Sequence, residues 1–251
     1  MSNLLLQVVP SFISKGAKVT WENRKYLNLW LKSKYGKFKD KNIRFSISGL
    51  YKIQIPNTNN YLLVLNRRIK NQLQPVGGAY KRMGDDSLFN KWNYKPDNRD
   101  NGLGIDKKSN DDLRFMIQGK YCIEVLNWFD KNQERESDPR REFNEELIEP
   151  GILDSKNFRN INHKHIRRFS KNLNWSTHFS CYEILIYDVF ELIPNYEQKQ
   201  ALINLAERGS DLSKGYAIVS CDNIEQERYM VNDEQVAPIG KHSKLLINQK
   251  F

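Results

Sequence analysis

Residues 177–193, THFSCYEILIYDVFELI, are the longest β-like stretch of the chain and set the first limit on its fold. Ile184, Leu185, Ile186, Val189 and Phe190 make it too apolar for a surface, so it predicts one long strand or two paired strands in the core. A chain of 251 residues with 39% hydrophobic residues, twelve Phe, twelve Tyr and five Trp can bury such an element without disulfides. It suits one large domain, or one domain with a small appendage. Cys122, Cys181 and Cys221 are widely spaced and form neither a CxxC pair nor a Cys/His cluster, which predicts a reducing, cytoplasmic setting. No apolar run reaches the roughly 18 residues of a membrane helix, and the opening MSNLLLQVVPSFIS lacks the basic start of a signal peptide. Its apolar Leu4, Leu5, Leu6 and Val8 predict a buried first turn or strand.

Elsewhere the pattern alternates between the two regular periods. Residues 20–35 predict a helix with Gly36 as its stop, and residues 43–55 (NIRFSISGLYKIQ) a strand pair around Ser48-Gly49. YLLVLNRR (61–68) reads as a buried strand, followed by QPVGGAYKR, whose Gly77-Gly78 marks either a hairpin or a close backbone approach. Residues 84–111 read as a long polar loop, in which Trp92 and Tyr94 either anchor the loop or cover a ligand. DLRFMIQG predicts a strand, 120–132 a helix, 195–209 a helix capped by Asn195 and ended by Gly209, and 216–222 a closing strand. Mixed strands among a few helices make the fold class α+β, in an α/β/α sandwich.

RREFNEELIEPG (140–151) carries Glu142, Glu145, Glu146 and Glu149. Capped by Ser137 or Asp138, with Pro139 first and Pro150-Gly151 last, it predicts a helix that buries Phe143 and Leu147. At 100° per residue Glu142, Glu146 and Glu149 share a face and Glu145 lies on its edge. Like charges at these spacings need a partner, supplied by Arg140 and Arg141, by water, or by a divalent cation such as Mg²⁺ or Mn²⁺. A solvated acidic face and a metal site are both open on these residues alone.

REFNEEL (141–147) resembles the core of the Nudix box, G-x5-E-x7-R-E-U-x-E-E-x-G-U, in which U is a bulky apolar residue: Arg141, Glu142, Phe143, Glu145 and Glu146 match R, E, U, E and E. QPVGGAYK (74–81) resembles the strand and glycine pair that open the box, so the box is split between 74–81 and 134–152 by a long insertion. The E-x7-R position falls on Gln133, and a rival register uses Glu136, Glu145, Glu149, Gly151 and Ile152 instead. With LRFMIQGKYCIEVLNWFD between its halves, the split box resembles the SMODS-associated Nudix domains, which accompany second-messenger synthases in bacterial antiphage systems of the CBASS type. The resemblance implies a Nudix-like domain over 43–251 behind a basic helical extension, 1–42. It implies a cytoplasmic bacterial protein, monomer or homodimer, with partner proteins from a defence operon. It also implies metal held by Glu142, Glu145, Glu146 and Glu149, catalysis by the first three with Arg141, and nucleotide contacts from the backbone at Gly77 and Gly78; Arg167 and Arg168, in the basic patch NHKHIRR, are candidate phosphate contacts by their charge. The implied activity is Mg²⁺- or Mn²⁺-dependent hydrolysis, or recognition, of a nucleoside-diphosphate-linked or signalling nucleotide. The alternative is a catalytically silent sensor of a cyclic oligonucleotide.

Charge is uneven: within a net +10, residues 15–44 hold ten Lys or Arg against Glu22 and Asp40. Interleaved with Trp21, Tyr26, Trp30, Tyr35 and Phe38, they form a solvated amphipathic helix or a nucleic-acid grip with steep salt dependence. NHKHIRR (162–168) reads as a basic surface turn, and His178 as a structural residue at the start of the long strand.

Overall fold

The computed structural model describes residues 26–97 and 111–251. The first turn at Leu4–Val8, the basic residues before Tyr26 and residues 98–110 of the loop predicted over 84–111 lie outside them.

Strand β1 (Asn42–Lys52) runs unbroken through Ser48-Gly49, so the predicted strand pair is a single strand. The reason is its company. It pairs antiparallel with β6 (Arg114–Gln118) and β4 (Gly77–Ala79), and parallel with β8 (Cys181–Leu192), so it has no free edge at which to turn. Nine successive residues, Ile43–Tyr51, are buried although every second one from Arg44 to Ser48 is polar. Ile43, Phe45, Ile47 and Tyr51 face the main core with Ile184, Ile186 and Phe190 of β8. Arg44, Ser46, Ser48 and Leu50 face the other way, onto a cavity.

β8 is one strand, and Thr177–Ser180 is the turn that precedes it. The segment 163–176, part of which read as a surface turn, is the 14-residue strand β7 (His163–Ser176), antiparallel to β8. β7 lies at the sheet edge, which its Lys, Arg and His residues and two register shifts keep from open pairing. Strand β5 (Lys95–Pro96) borders β6 at the opposite edge. A smaller sheet has the order β3-β2-β9, from Leu73–Pro75, Asn60–Leu65 and Tyr216–Ser220.

Helices cover this mixed sheet. α1 (Leu27–Lys34) sends Leu29 into the main core, and α2 (Ser87–Lys91) sends Phe89 into an aromatic cluster with Trp92, Tyr94, Phe115 and Trp128. Trp92 and Tyr94 are therefore anchors of this segment, and Trp92 is fully buried. α3 (Cys122–Asp130) follows a single 3-10 turn. α4 (Arg140–Phe143) begins the acidic segment, α5 (Ser155–Phe158) follows it, and α6 (Tyr196–Glu207) carries the predicted Asn195 cap, completed as a capping box by Gln198. Strand β9 does not close the domain: α7 (Cys221–Glu225), the hairpin β10–β11 (Arg228–Val231, Glu234–Pro238) and a 3-10 segment, Lys241–Ile247, pack Ile224, Ala237, Ile239, Leu245 and Leu246 into a second core.

Candidate functional site

The acidic helix changes pitch inside its own motif. After α4 the turn widens to π geometry over Asn144–Ile148, and the Glu149 amide donates to the Asn144 carbonyl at 2.9 Å. Phe143 and Leu147 are fully buried as predicted, contributing roughly 1.5–3 kcal/mol each. The wider turn leaves Glu149 exposed, away from Glu142, Glu145 and Glu146, which line the cavity. The expectation that Glu149 shares their face fails because it assumed 100° per residue to the helix end.

Strand β4 supplies the opposite wall. Gly77 has φ +138°, and a Cβ there would lie 2.2 Å from the Gly49 carbonyl oxygen, so only glycine permits the pairing with β1. A Cβ at Gly78 would lie 2.4 Å from Glu142 Oε1: the carboxylate occupies the space glycine leaves. The Gly77 amide donates to Glu146 Oε2 at 2.8 Å, and Gln74 Nε2 donates to Oε1 at 3.3 Å.

Arg141 ties these parts together. Nε and Nη2 donate to the two oxygens of Glu136 at 2.8 and 3.2 Å, Nη1 to Glu142 at 2.9 Å and Glu145 at 3.3 Å, and Nη2 also to the Ala79 carbonyl at 3.1 Å. Glu136 further accepts from the Lys81 amide at 2.9 Å, which docks the acidic segment on the chain leaving β4. Glu136, and neither Gln133 nor Glu134, is thus the acidic partner upstream of the Arg141 motif; it belongs to the rival register, which the sequence disfavours because that register loses the Arg and the apolar residue that Arg141 and Phe143 supply. Arg67 Nη1 donates to Glu145 at 3.3 Å, and Asp112 pairs with Arg114 and, at 3.7 Å, with Arg68.

Electrostatically these carboxyls are held away from their relaxed state. Burial pushes Glu146 up to about 8, with the nearby Glu142 adding to the shift and the Gly77 amide opposing it. Burial also raises Glu142 and Asp112. Around Arg141, burial works against the charge, and the hydrogen bond and charges of Glu136, Glu142 and Glu145 overcome it, raising its pKa. Among the described residues no three His, Cys, Asp or Glu side chains are gathered as metal ligands.

The cavity, about 500 Å³, continues along the polar face of β1. Arg44 is buried there, donating to Asp97 at 2.6 Å and Glu183 at 3.0 Å, with its guanidinium 4.0 Å from the Phe179 ring centre. Tyr187 and His242 stack nearly parallel, centroids 5.9 Å apart, and both line the cavity. Burial lowers His242 to about 4, so the ring is neutral. His178, read as structural, is exposed at the cavity's edge. The sequence hint to this wall was the Arg-x-Ser-x-Ser alternation of β1, a polar face on a strand too apolar to be at the surface.

The predicted phosphate contacts divide. Gly77 and Gly78 line the cavity; Arg167 and Arg168 do not. Arg168 is committed to Asp188 at 2.6 and 2.9 Å and Asp130 at 2.7 Å, and Arg167 leaves Nε and Nη2 buried without hydrogen-bond partners among the described residues. His163 and His165 are likewise engaged within the fold, by Tyr51 at 2.9 Å and Asp188 at 3.1 Å. Among the described residues no helix is long and apolar enough to cross a membrane.

Compared with known proteins, residues 42–247 match the family model described as the SMODS-associated NUDIX domain. The match begins at the first residue of β1 and ends with the 3-10 segment that carries His242. No curated protein and no solved structure matches the chain.

Proposed function

The chain belongs to the SMODS-associated Nudix family, and from that premise we propose that it binds a nucleoside-diphosphate-linked or signalling nucleotide in the β1 cavity and hydrolyses it with Mg²⁺ or Mn²⁺, within bacterial antiphage signalling. The observation that carries this reading is that Glu142 and Glu146 meet the Gly78 and Gly77 wall while Arg141 holds Glu142 and Glu145, all lining one cavity.

The donor set fits a hard divalent cation. Its oxygens are carboxylates, and two of the three glutamates have raised pKa values that a cation would bring down. Glu142, Glu145 and Glu146 would hold the ion, which when bound would neutralise a diphosphate and make its water a stronger nucleophile. Arg141 orients Glu142 and Glu145 by charge-assisted hydrogen bonds, and Glu136 fixes Arg141 in turn. Glu146 is anchored by the Gly77 amide, which fixes one of its oxygens on the cavity wall. Arg67 stands at the mouth with half its side chain exposed, where it can meet a phosphate.

A second reading, a silent sensor, draws on a specific observation: the glutamates spend their contacts on Arg141, Arg67 and Gly77 and are not gathered as ligands. The deciding experiment is turnover with Mg²⁺ or Mn²⁺ over ADP-ribose, dinucleoside polyphosphates, nucleoside triphosphates and cyclic oligonucleotides, beside Glu146→Gln. Metal-dependent cleavage that falls at least a hundredfold in the variant supports the hydrolase. Absence of turnover, with tight binding of a cyclic oligonucleotide, leaves the sensor.

A further inference from the structure

The cavity is floored by the polar face of β1 and by Leu185 and Tyr187 of β8, and a turn rich in cations stands at its mouth. That turn, residues 66–72, joins β2 to β3 and carries Arg67, Arg68 and Lys70. Its backbone is fixed: the Asn66 amide donates to the Gln72 carbonyl at 2.7 Å, and Asn66 Oδ1 accepts from the Arg68 and Ile69 amides at 2.7 and 2.8 Å. Asn66 Nδ2 also donates to Gln74 Oε1 at 2.6 Å, and Gln74 in turn donates to Glu146. The root of the Arg67 side chain is therefore held against the glutamates, while half of the side chain itself is exposed.

Arg67 and Arg141 share Glu145 unequally. Arg141 Nη1 donates to Oε1 at 3.3 Å and Arg67 Nη1 to Oε2 at 3.3 Å, with Arg67 Nη2 also on the Glu145 carbonyl. Both carboxylate oxygens are thus engaged by guanidinium groups. Arg141 is anchored by Glu136, Glu142 and Ala79 as well, whereas among the described residues Glu145 alone holds Arg67 by hydrogen bonds. A small divalent cation sits about 2 Å from its carboxylate oxygens, which on Glu145 would bring it within about 5 Å of the Arg67 guanidinium. A half-exposed ion pair is too weak to hold the arginine against that repulsion. Of the two arginines, Arg67 is the one that yields.

We propose that Arg67 changes partners: it neutralises Glu145 until a divalent cation takes that carboxylate, and then turns its planar fork to an anionic group of the ligand. Cation and anion thereby reinforce each other through one side chain, and by linkage each raises the affinity for the other by the same factor. A guanidinium suits the second task, since its parallel N–H groups match phosphate oxygens two at a time. The charge of Arg67 also draws the pKa of Glu146 down, which places it within electrostatic reach of a second glutamate. This role rests on the metal and nucleotide reading above and adds to it a reason for the two to bind together.

The test measures two affinities of the full chain: that for Mn²⁺ alone, from the free-ion signal in electron paramagnetic resonance, and that for ADP in saturating Mn²⁺. In Arg67→Gln, Mn²⁺ is expected to bind more tightly by about threefold or more, because its competitor is gone, while ADP binds more weakly by about fivefold or more. Opposite signs are the mark of the exchange, since structural damage at the site weakens both. Arg68→Gln removes a charge from the next position, where the arginine pairs with Asp112 at 3.7 Å, and should change Mn²⁺ affinity by less than about twofold. An equal gain in both variants reduces the effect to a general loss of positive charge and overturns the exchange. So does an Mn²⁺ affinity in Arg67→Gln that is unchanged or lower, and so does unchanged ADP binding. Failure of Mn²⁺ or of ADP to bind the unaltered chain is a different result, which removes the metal or the nucleotide reading and the exchange with it.

Discussion

Two adjacent glycines do opposite work. Gly77 is fixed by backbone: its φ of +138° and the Gly49 carbonyl 2.2 Å from its ideal Cβ leave no escape for a side chain. Gly77→Ala is expected to cost about 2–4 kcal/mol, read as a lower unfolding midpoint, because strain and separation from β1 add. Gly78 is fixed by function's geometry, since what meets its Cβ is the movable end of Glu142. Gly78→Ala should therefore change stability by less than about 1 kcal/mol yet displace the Glu142 carboxylate, and the Mn²⁺-induced rise in melting temperature should shrink or vanish. Equal loss of stability in both variants would show that the distinction is wrong. The sequence announced the pair as a close approach or a hairpin; which atoms approach, and that they differ between the two positions, depends on strands that lie far apart in the chain.

At the level of the element, the acidic segment is docked as much by one side chain as by its apolar stripe. Phe143 and Leu147 set its face, and Arg141 clips it to β4 through Ala79 and, by way of Glu136, to Lys81. Lysine keeps the charge but loses the planar fork that reaches both oxygens of Glu136 and the carbonyl together. Arg141→Lys is expected to lower stability by about 1–3 kcal/mol and to reduce metal-dependent turnover or metal response at least tenfold; a variant with unchanged metal response would refute the clip. The buried stripe was legible from spacing and the motif residues from the resemblance, but the predicted cap is not met: Pro139 is itself the N-cap, with no side-chain cap bond, and among the described residues Asp138 accepts only from the Arg140 amide, at 3.0 Å. The π turn was not legible, because it is a backbone adjustment to tertiary packing that no residue in NEELI dictates, and Glu149 was misplaced for that reason. Likewise β7 read as a turn because its basic residues suit the surface; an edge strand meets the same requirement while pairing on one side only.

Over the whole molecule, the second core brings His242 into the cavity from a stretch that the sequence left unassigned, since its short elements carry no clear period. Its folded pKa of about 4 lies below the ordinary 6.5, so the unfolded chain takes up a proton first as pH falls. The stabilising difference is complete above pH 6.5 and is lost as pH drops from there through about 4. The opening of the ring onto the cavity limits it to about 1–2 kcal/mol. Denaturant midpoints across that range should show an acid limb that His242→Asn flattens; an unchanged limb would count against a neutral His242. The fold class and the core strands were legible, because apolar period and length survive without knowing partners. The cavity was only hinted at, since its walls come from segments that meet in three dimensions. That meeting has a consequence in time. The floor depends on β1 lying parallel to β8, with Arg44 and Glu183 separated by 139 residues. Closing so large a loop is slow, and a chain emerging from a ribosome holds β1 without its neighbour until well over half of it has been made. The cavity floor is therefore completed late, when β8 joins the side of β1 away from β4 and β6, and a nascent or prematurely ended chain carries the complete glutamate motif without it.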